Sequence, residues 1–316
     1  MSAESSLEKS IGGYRPPLQK IILGSRGSEL ARTQTELVVE ALKKSCPQLE
    51  IATKIISTRG DIRNAEPLDP KAGRKGLFTG EIERALAAGE IDIAVHSAKD
   101  LPSEMTEGLV LGAVLPRAST NDGLITRQLG ELQGKIATGS VRRQHQLRWK
   151  FPHVETVDLR GNVPTRLRKF LASDWHGVVL AQAGLERLGF DVTAGSFQFE
   201  GMTLHAEPLP TDDFLPAGGQ GIVALQLRAK DDKNIVAAIN DAGTFSCLQA
   251  EREFLRLLQG DCASPIGVQA TISGLTMTMR AQVFDPPRIE PRMAKVEGDA
   301  SKPKELAREL WGAING

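Results

Sequence analysis

The sequence predicts an α/β protein: two α/β domains around a cleft, followed by a small α+β C-terminal domain. Three observations carry this. Short apolar runs alternate with amphipathic stretches through the first half of the chain, which calls for mostly parallel sheets with helices on both faces. The pattern restarts after the polar break "RASTND" near Arg117. Past Gly243 a long helix gives way to strands of alternating polarity, which suits an antiparallel sheet with helices packed on it. The domains expected are 19–116 with 217–240 (discontinuous), 117–216, and 241–316.

Taken in order, residues 1–18 are polar and punctuated by Pro and Gly, and read as a flexible extension. "KIILGS" (20–25) is a strand, and Ser28 caps a helix whose Leu30, Leu37, Val38, Ala41 and Leu42 share one face until Pro47. "IATKIIS" (51–57) is the next strand. After a glycine-rich loop, a helix starts at Thr79 with Ile82, Ala85 and Leu86 at helical spacing and Gly89 at its end. "IDIAVHSAKDLP" (91–102) then runs from an apolar strand into His96, Lys99 and Asp100. The second unit has strands "GLITR", "KIATGS", "VETVDL" and "GVVLAQ", with helices from Val141 and Asn162. "LPTDDFLPAGGQG" (209–221) is a loop, and the strand "IVALQLR" returns to the first sheet. Last come the helix "TFSCLQAEREFLRLLQG", strands "IGVQATISG" and "MTMRAQVFD", and a helix capped near Ser301.

Composition excludes several classes of function. The 316 residues carry 39 basic and 39 acidic side chains, so no global field recruits nucleic acid or an anionic membrane, and 4% aromatics add no stacking surface. No run approaches the roughly 20 apolar residues that span a bilayer. Cys46, Cys247 and Cys262 lack C-x-x-C spacing, and the five histidines form no H-E-x-x-H, so neither a disulfide framework nor a metal site is expected. A cytoplasmic protein, or one of the plastid stroma, fits. "KAGRKGLFTGE" lacks the P-loop spacing and no G-x-G-x-x-G follows a strand, which removes nucleotide and nicotinamide chemistry.

Chemistry concentrates just past the strand ends, where ligands of open α/β sheets collect. Arg26 and Ser28 follow the first strand at a helix N-terminus suited to anions. Thr58, Arg59 and Asp61 follow the second, and His96, Ser97, Lys99 and Asp100 the third. The window 136–169 holds eight basic residues against Glu155 and Asp158. Within it Arg142 and Arg143 open a helix after "TGS", where the dipole disfavours cations unless an anion joins them. A ligand carboxylate or phosphate would supply it, and Arg is the side chain suited to two-pronged carboxylate recognition. Arg148, Arg168 and Lys169 read as a solvated face. Cys262 in "QGDCASPIG" is a loop thiol, to which local sequence alone assigns no role.

Together "VHSAKDLP", "TGSVRRQHQL", "LRGNVPTRL", "AGLERLG", "PAGGQG" and "GDCASPIG" resemble the porphobilinogen deaminase (hydroxymethylbilane synthase) family, in order from about Ile22 into the C-terminal domain. The resemblance implies α/β domains of the periplasmic-binding-protein type and a transferase of tetrapyrrole biosynthesis that works as a monomer. It implies a dipyrromethane cofactor held by a thioether to Cys262, onto which four porphobilinogens are joined head to tail with loss of ammonia. Hydrolysis then releases the linear tetrapyrrole. Every ring adds an acetate and a propionate, so the cleft must neutralise a growing polyanion.

By the same resemblance, Asp100 is catalytic and steadies cationic ring intermediates. Lys99, Thr138, Ser140, Arg142, Arg143 and Asp100 hold the cofactor with Cys262. Arg26, Ser28, Arg160, Arg166 and Arg187 bind substrate carboxylates, and Lys71, Lys75 and Phe78 belong to a gating loop. The chain departs from the family pattern at Gly139, Gly218, Asp261 and Ser264. The other reading of the residues is an anion-binding protein of two α/β lobes without catalysis, which would need the arginines but neither Asp100 nor Cys262.

Overall fold

A computed structural model describes residues 20–62, 78–260 and 264–316, with the side chains of 61 and 62 left aside. The proposed N-terminal extension, Lys71, Lys75, Asp261 and Cys262 lie outside the described residues.

The first sheet is built from β1 (Lys20–Ser25), α1 (Glu29–Ser45), β2 (Glu50–Ile55), the single turn α2 (Arg59–Ile62), α3 (Gly80–Ala87), β3 (Ile93–Ser97) and β4 (Leu109–Val114). Its strand order is β2-β1-β3-β11-β4, where β11 (Val223–Arg228) returns from far along the chain. β1 runs parallel to β2 and β3, whereas β11 is antiparallel to both its neighbours. Helices cover both faces, as the alternation requires: Leu23, Val38, Leu42, Val95 and Leu225 form one core, and Ile82, Leu86, Ile91 and Ala94 the other. Ser28 caps α1 by accepting from the Ala31 amide at 3.3 Å. The buried stripe of α1 is Gln34, Thr35, Val38 and Leu42, so it is rotated from the expected one and leaves Leu37 36% exposed. The cause is polar: the Gln34 amide meets the Ser97 hydroxyl at 2.9 Å, which turns this end of the helix toward the end of β3. Gly89 closes α3 with φ +77°, a conformation glycine adopts without strain.

The second sheet comprises β5 (Asp122–Thr126), β6 (Lys135–Ala137), α4 (Val141–Lys150), β7 (Glu155–Val157), α5 (Val163–Leu171), β8 (Gly177–Ala181), α6 (Gln182–Glu186), β9 (Ser196–Phe199) and β10 (Met202–Pro208). Its order is β7-β6-β8-β5-β10-β9. β6 is parallel to β7 and β8, but β5, β10 and β9 pair antiparallel, so this half is less parallel than the sequence suggested. The β9–β10 hairpin is an addition to the expected elements. Glu200 (φ 48°) and Gly201 (φ 81°) form its tight turn, and "E-G" is a weaker hairpin signal than "N-G" or "D-G".

After β11 come the short α7 (Asn234–Ala237) and α8 (Ala242–Leu257), capped by Asp241, whose carboxylate accepts from the Thr244 amide at 2.7 Å. β12 (Ile266–Ser273), β13 (Thr276–Val283) and β14 (Arg292–Asp299) form an antiparallel sheet, and α9 (Pro303–Asn315) closes the chain. β14 escaped the sequence reading because it is an edge strand of alternating half-buried and exposed residues, with little apolar run to mark it. Nor does Ser301 cap α9: Lys302 holds that position without a side-chain bond, and Pro303 begins the helix. No helix among the described residues is long and apolar enough to cross a membrane.

Two chain segments join the first and second sheets, and α8 grips both. Glu251, with no exposed surface, forms an ion pair with Arg117 at 2.6 Å and accepts from the amides of Gly219 (2.7 Å) and Ala270 (2.8 Å). The crossings also touch directly: a Cβ at Gly221 (φ +85°) would lie 2.6 Å from the Ala118 carbonyl oxygen, so only glycine fits.

Candidate active site

β3 is buried up to His96 and then leaves the sheet in one tight turn, Ala98–Asp100, closed by the Leu101 amide donating to the Ala98 carbonyl at 3.2 Å. Antiparallel pairing with β11 fixes this strand end, since Ser97 stands opposite Val223. Lys99 and Asp100 are thereby held half-buried between two cavities. Lys99 lines both; Asp100 lines the second. Burial pushes the Lys99 ammonium down to about 8, with the charges of Arg143 and Arg166 in the same direction and those of Asp100 and Asp122 opposing.

The first cavity lies where the three sheets' domains meet. Its polar walls are Lys99, Ser103, Ser140, Arg142, Arg252 and Ser264, its apolar walls include Leu101, Leu255 and Ile266, and no carboxylate is among its described lining residues. Gly260 and Ser264, the described residues on either side of the 261–263 segment, both line it. Such walls suit a flat, apolar body bearing several carboxylates. Dipyrromethane is that kind of group, and the buried Nε of Arg142, which has no hydrogen-bond partner among the described residues, is a spare donor on a side chain of the same wall.

Arg252 is a site residue that sequence reasoning missed. It sits inside a helix pattern, where it reads as one more surface charge of "AEREF". In the fold it is 9% exposed and donates to the carbonyls of Pro102 (2.7 Å) and Ser103 (3.1 Å), tying α8 to the segment just after Asp100. Burial pushes its guanidinium down to about 10.

The second cavity, about 500 Å³ of open space, is lined by Arg26, Ser28, Gln34, Phe78, His96, Lys99 and Asp100, among others. Three separate chain segments thus deliver residues singled out from the sequence to one place. Arg26 lies over the Phe78 ring, 4.3 Å from its centroid, which holds the guanidinium through its flat face.

Arg142 and Arg143 open α4, as expected, but the anion that joins them is part of the protein. Asp122, the first residue of β5 and fully buried, lies 2.9 Å from Arg142 Nη1 and 2.7 Å from Arg143 Nη2. It also accepts from Gln220 Nε2 at 2.8 Å. The two guanidiniums hold its carboxyl far below the usual carboxylate range, against the cost of burial. The expectation that a ligand supplies this counter-ion is therefore corrected: one arginine charge is neutralised internally and one remains. The only sequence signal for Asp122 was an acidic residue at the end of a polar break, directly before a buried strand.

The remaining expected residues divide. Arg166 lines neither cavity and donates from Nε to the Gly161 carbonyl at 2.6 Å; burial, with Arg143 and Arg160 nearby, pushes its guanidinium down to about 10, with the charge of Asp100 opposing. Thr138 is buried behind the first cavity, with its Oγ1 3.4 Å from the Ser140 amide, so it shapes the loop that carries Ser140. Arg160 pairs with Asp158 at 2.8 Å on the surface, and Arg187 donates to the Gly221 carbonyl at 2.7 Å, beside the crossing segments. Neither lines a cavity as it stands, and neither do Thr58 or Arg59, the latter turned to Glu81 at 3.2 Å. Of the departures, Gly139 has a steric reason: a Cβ there would lie 2.3 Å from the Leu159 carbonyl oxygen. A Cβ at Gly218 would press within 2.8 Å of Leu255, which fills that space instead.

Comparison with known proteins matches residues 21–236 to the family model "Porphobilinogen deaminase, dipyromethane cofactor binding domain" and residues 245–314 to "Porphobilinogen deaminase, C-terminal domain". The chain is similar to porphobilinogen deaminase of Moorella thermoacetica, 39% identical over 298 residues that cover 92% of this chain and 91% of that protein. It is also similar to those of Macrococcus caseolyticus (38% over 306 residues, 94% and 95%) and Syntrophotalea carbinolica (43% over 264 residues, 81% and 80%). With both family models aligned in order along the chain and these relatives about 40% identical over most of its length, the chain belongs to the porphobilinogen deaminase family.

Proposed function

We propose that the chain is a hydroxymethylbilane synthase, a transferase that joins four porphobilinogens head to tail with loss of ammonia and releases the linear tetrapyrrole. The observation that carries this is the meeting of two cavities at Lys99, one rich in cations and beside the residues flanking Cys262, the other containing Asp100. Family membership favours this reading over a binding protein without catalysis.

Cys262 is the proposed point of attachment for dipyrromethane, with Lys99, Ser140 and Arg142 as carboxylate partners and Arg143 and Thr138 supporting them from behind. When bound, this cofactor supplies the nucleophilic pyrrole carbon to which the first substrate ring is joined, and it stays on the protein. Arg26, Ser28 and Arg166 take substrate carboxylates. A charge-assisted hydrogen bond contributes about 1.5–3 kcal/mol, so a few such contacts decide which pyrrole enters. Arg160 and Arg187 join this set through side-chain movement, since each now bonds a protein oxygen.

Asp100 is the proposed catalytic carboxylate. Loss of ammonia leaves a cationic methylene on the substrate pyrrole, and a fixed negative charge beside the pyrrole nitrogen stabilises it. The reading extends to a monomer working in the cytoplasm; bacterial relatives support the compartment.

Two measurements test it together. Intact and peptide mass spectrometry should find an adduct on the peptide containing Cys262, and the purified chain should convert porphobilinogen to hydroxymethylbilane. An unmodified thiol in folded protein, with no turnover, would return the chain to the anion-binding reading.

A further inference from the structure

His96 stands three residues before Lys99 and has no part in the reaction as described above. It is 5% exposed, and its Nε2 lies 3.0 Å from Gln226 Oε1 on the neighbouring strand β11. Gln226, fully buried, donates through Nε2 to Glu83 Oε1 at 2.8 Å, and the other Glu83 oxygen accepts from Thr106 Oγ1 at 2.8 Å. These bonds have one consistent direction. A carboxylate only accepts, so Gln226 gives its NH₂ to Glu83 and offers its carbonyl to His96. The proton of the neutral imidazole must then be on Nε2, which leaves Nδ1 as an acceptor. Burial, with the charge of Arg26 nearby, pushes His96 down to about 4, so the ring stays neutral near pH 7.

His96 is also among the residues that line the second cavity, with Arg26, Ser28, Lys99 and Asp100. Arg26, Lys99 and Ser28 suit carboxylates. A neutral ring whose remaining nitrogen can only accept suits the opposite kind of group. Porphobilinogen has one cationic group, the aminomethyl ammonium that departs.

We propose that His96 is a substrate-binding residue whose Nδ1 accepts an N–H of the porphobilinogen ammonium, with Glu83 and Gln226 fixing the tautomer and angle of the ring. The inference rests on the reaction proposed above and adds the binding of its leaving group. The C–N bond breaks with its electron pair going to nitrogen, and the ammonium leaves as ammonia with the three protons it already carries. The positive charge stays on the pyrrole methylene, which Asp100 stabilises. No proton passes through His96, so a neutral acceptor that aims the C–N bond is sufficient, whereas an imidazolium there would repel the ammonium.

Two substitutions separate this role from packing. His96→Gln places an amide nitrogen near the position of Nε2 and keeps the bond to Gln226, but has nothing at the position of Nδ1. His96→Asn does the reverse. We expect His96→Gln to retain the wild-type Tm while kcat/KM for porphobilinogen falls about 10- to 100-fold, the loss of one hydrogen bond to a charged group. His96→Asn should lose Tm yet keep the higher kcat/KM of the two. Wild-type kcat/KM in His96→Gln, or the reverse ranking of the variants, overturns the role while leaving the reaction intact. A wild-type chain that forms no product overturns both. Independently of any variant, ¹⁵N-correlated NMR of the wild type should show His96 protonated at Nε2, and protonation at Nδ1 refutes the inference.

Discussion

Asp122 and Asp100 are two carboxylates of one arginine-rich site, and they differ in almost every physical respect. Asp122 is fully buried, and its oxygens are committed to Arg142, Arg143 and Gln220. Asp100 sits in a tight turn with part of its surface facing a cavity. The first fixes geometry: it allows two guanidiniums to be packed side by side, with Arg142 in the wall of the first cavity. The second is left able to answer charge that appears during reaction. Proximity to a site therefore does not define a carboxylate's role; the number of its committed partners does.

The comparison is broken most directly at Asp100. Asp100→Asn keeps the size and should lower kcat by about 10²- to 10⁴-fold, the range for a group that acts in the transition state, with Tm unchanged. Near-normal turnover would place both aspartates in the structural class.

Asp122→Asn tests the other side. Removing one partner of a buried ion pair costs about 3–5 kcal/mol, so the variant should unfold at distinctly lower denaturant concentration. The pH dependence has a definite sign. The folded-state pKa is depressed, so the stability Asp122 contributes is complete above the unfolded value near 4 and is lost as pH falls below it. Wild type should lose more stability than Asp122→Asn between about pH 4 and pH 2, and equal acid sensitivity of the two would remove Asp122 from this role.

Lys99 gives the smallest effect. With its ammonium at about 8, KM for porphobilinogen should rise as pH passes from 7 to 9, by a few-fold. Lys99→Arg keeps its charge over that range and should flatten the profile. If the variant rises equally, another group is responsible.

The legible part of this protein was whatever a local pattern determines. Period-two and period-3.6 apolar runs gave β1, α1, β3 and α8, and strand ends alone pointed to Arg26, Ser28, Lys99 and Asp100. Partners distant in sequence were not legible. Asp122 meets Arg143 across 21 residues, His96 meets Gln226 across 130, and Arg252 meets Pro102 across 150. Each reads locally as an ordinary polar residue, and only the packing of separate elements gives it a partner. The stripe of α1 was misplaced for a related reason: a polar contact to Ser97 outweighed Leu37, which no local rule anticipates.

Lys99 is a wall common to two chambers, and it has a single charge to give. A ligand carboxylate that draws the ammonium to one side withdraws it from the other, so occupants on the two sides compete for it. For a polymer that lengthens ring by ring, that competition amounts to a handover: each newly seated unit loosens the hold on its predecessor.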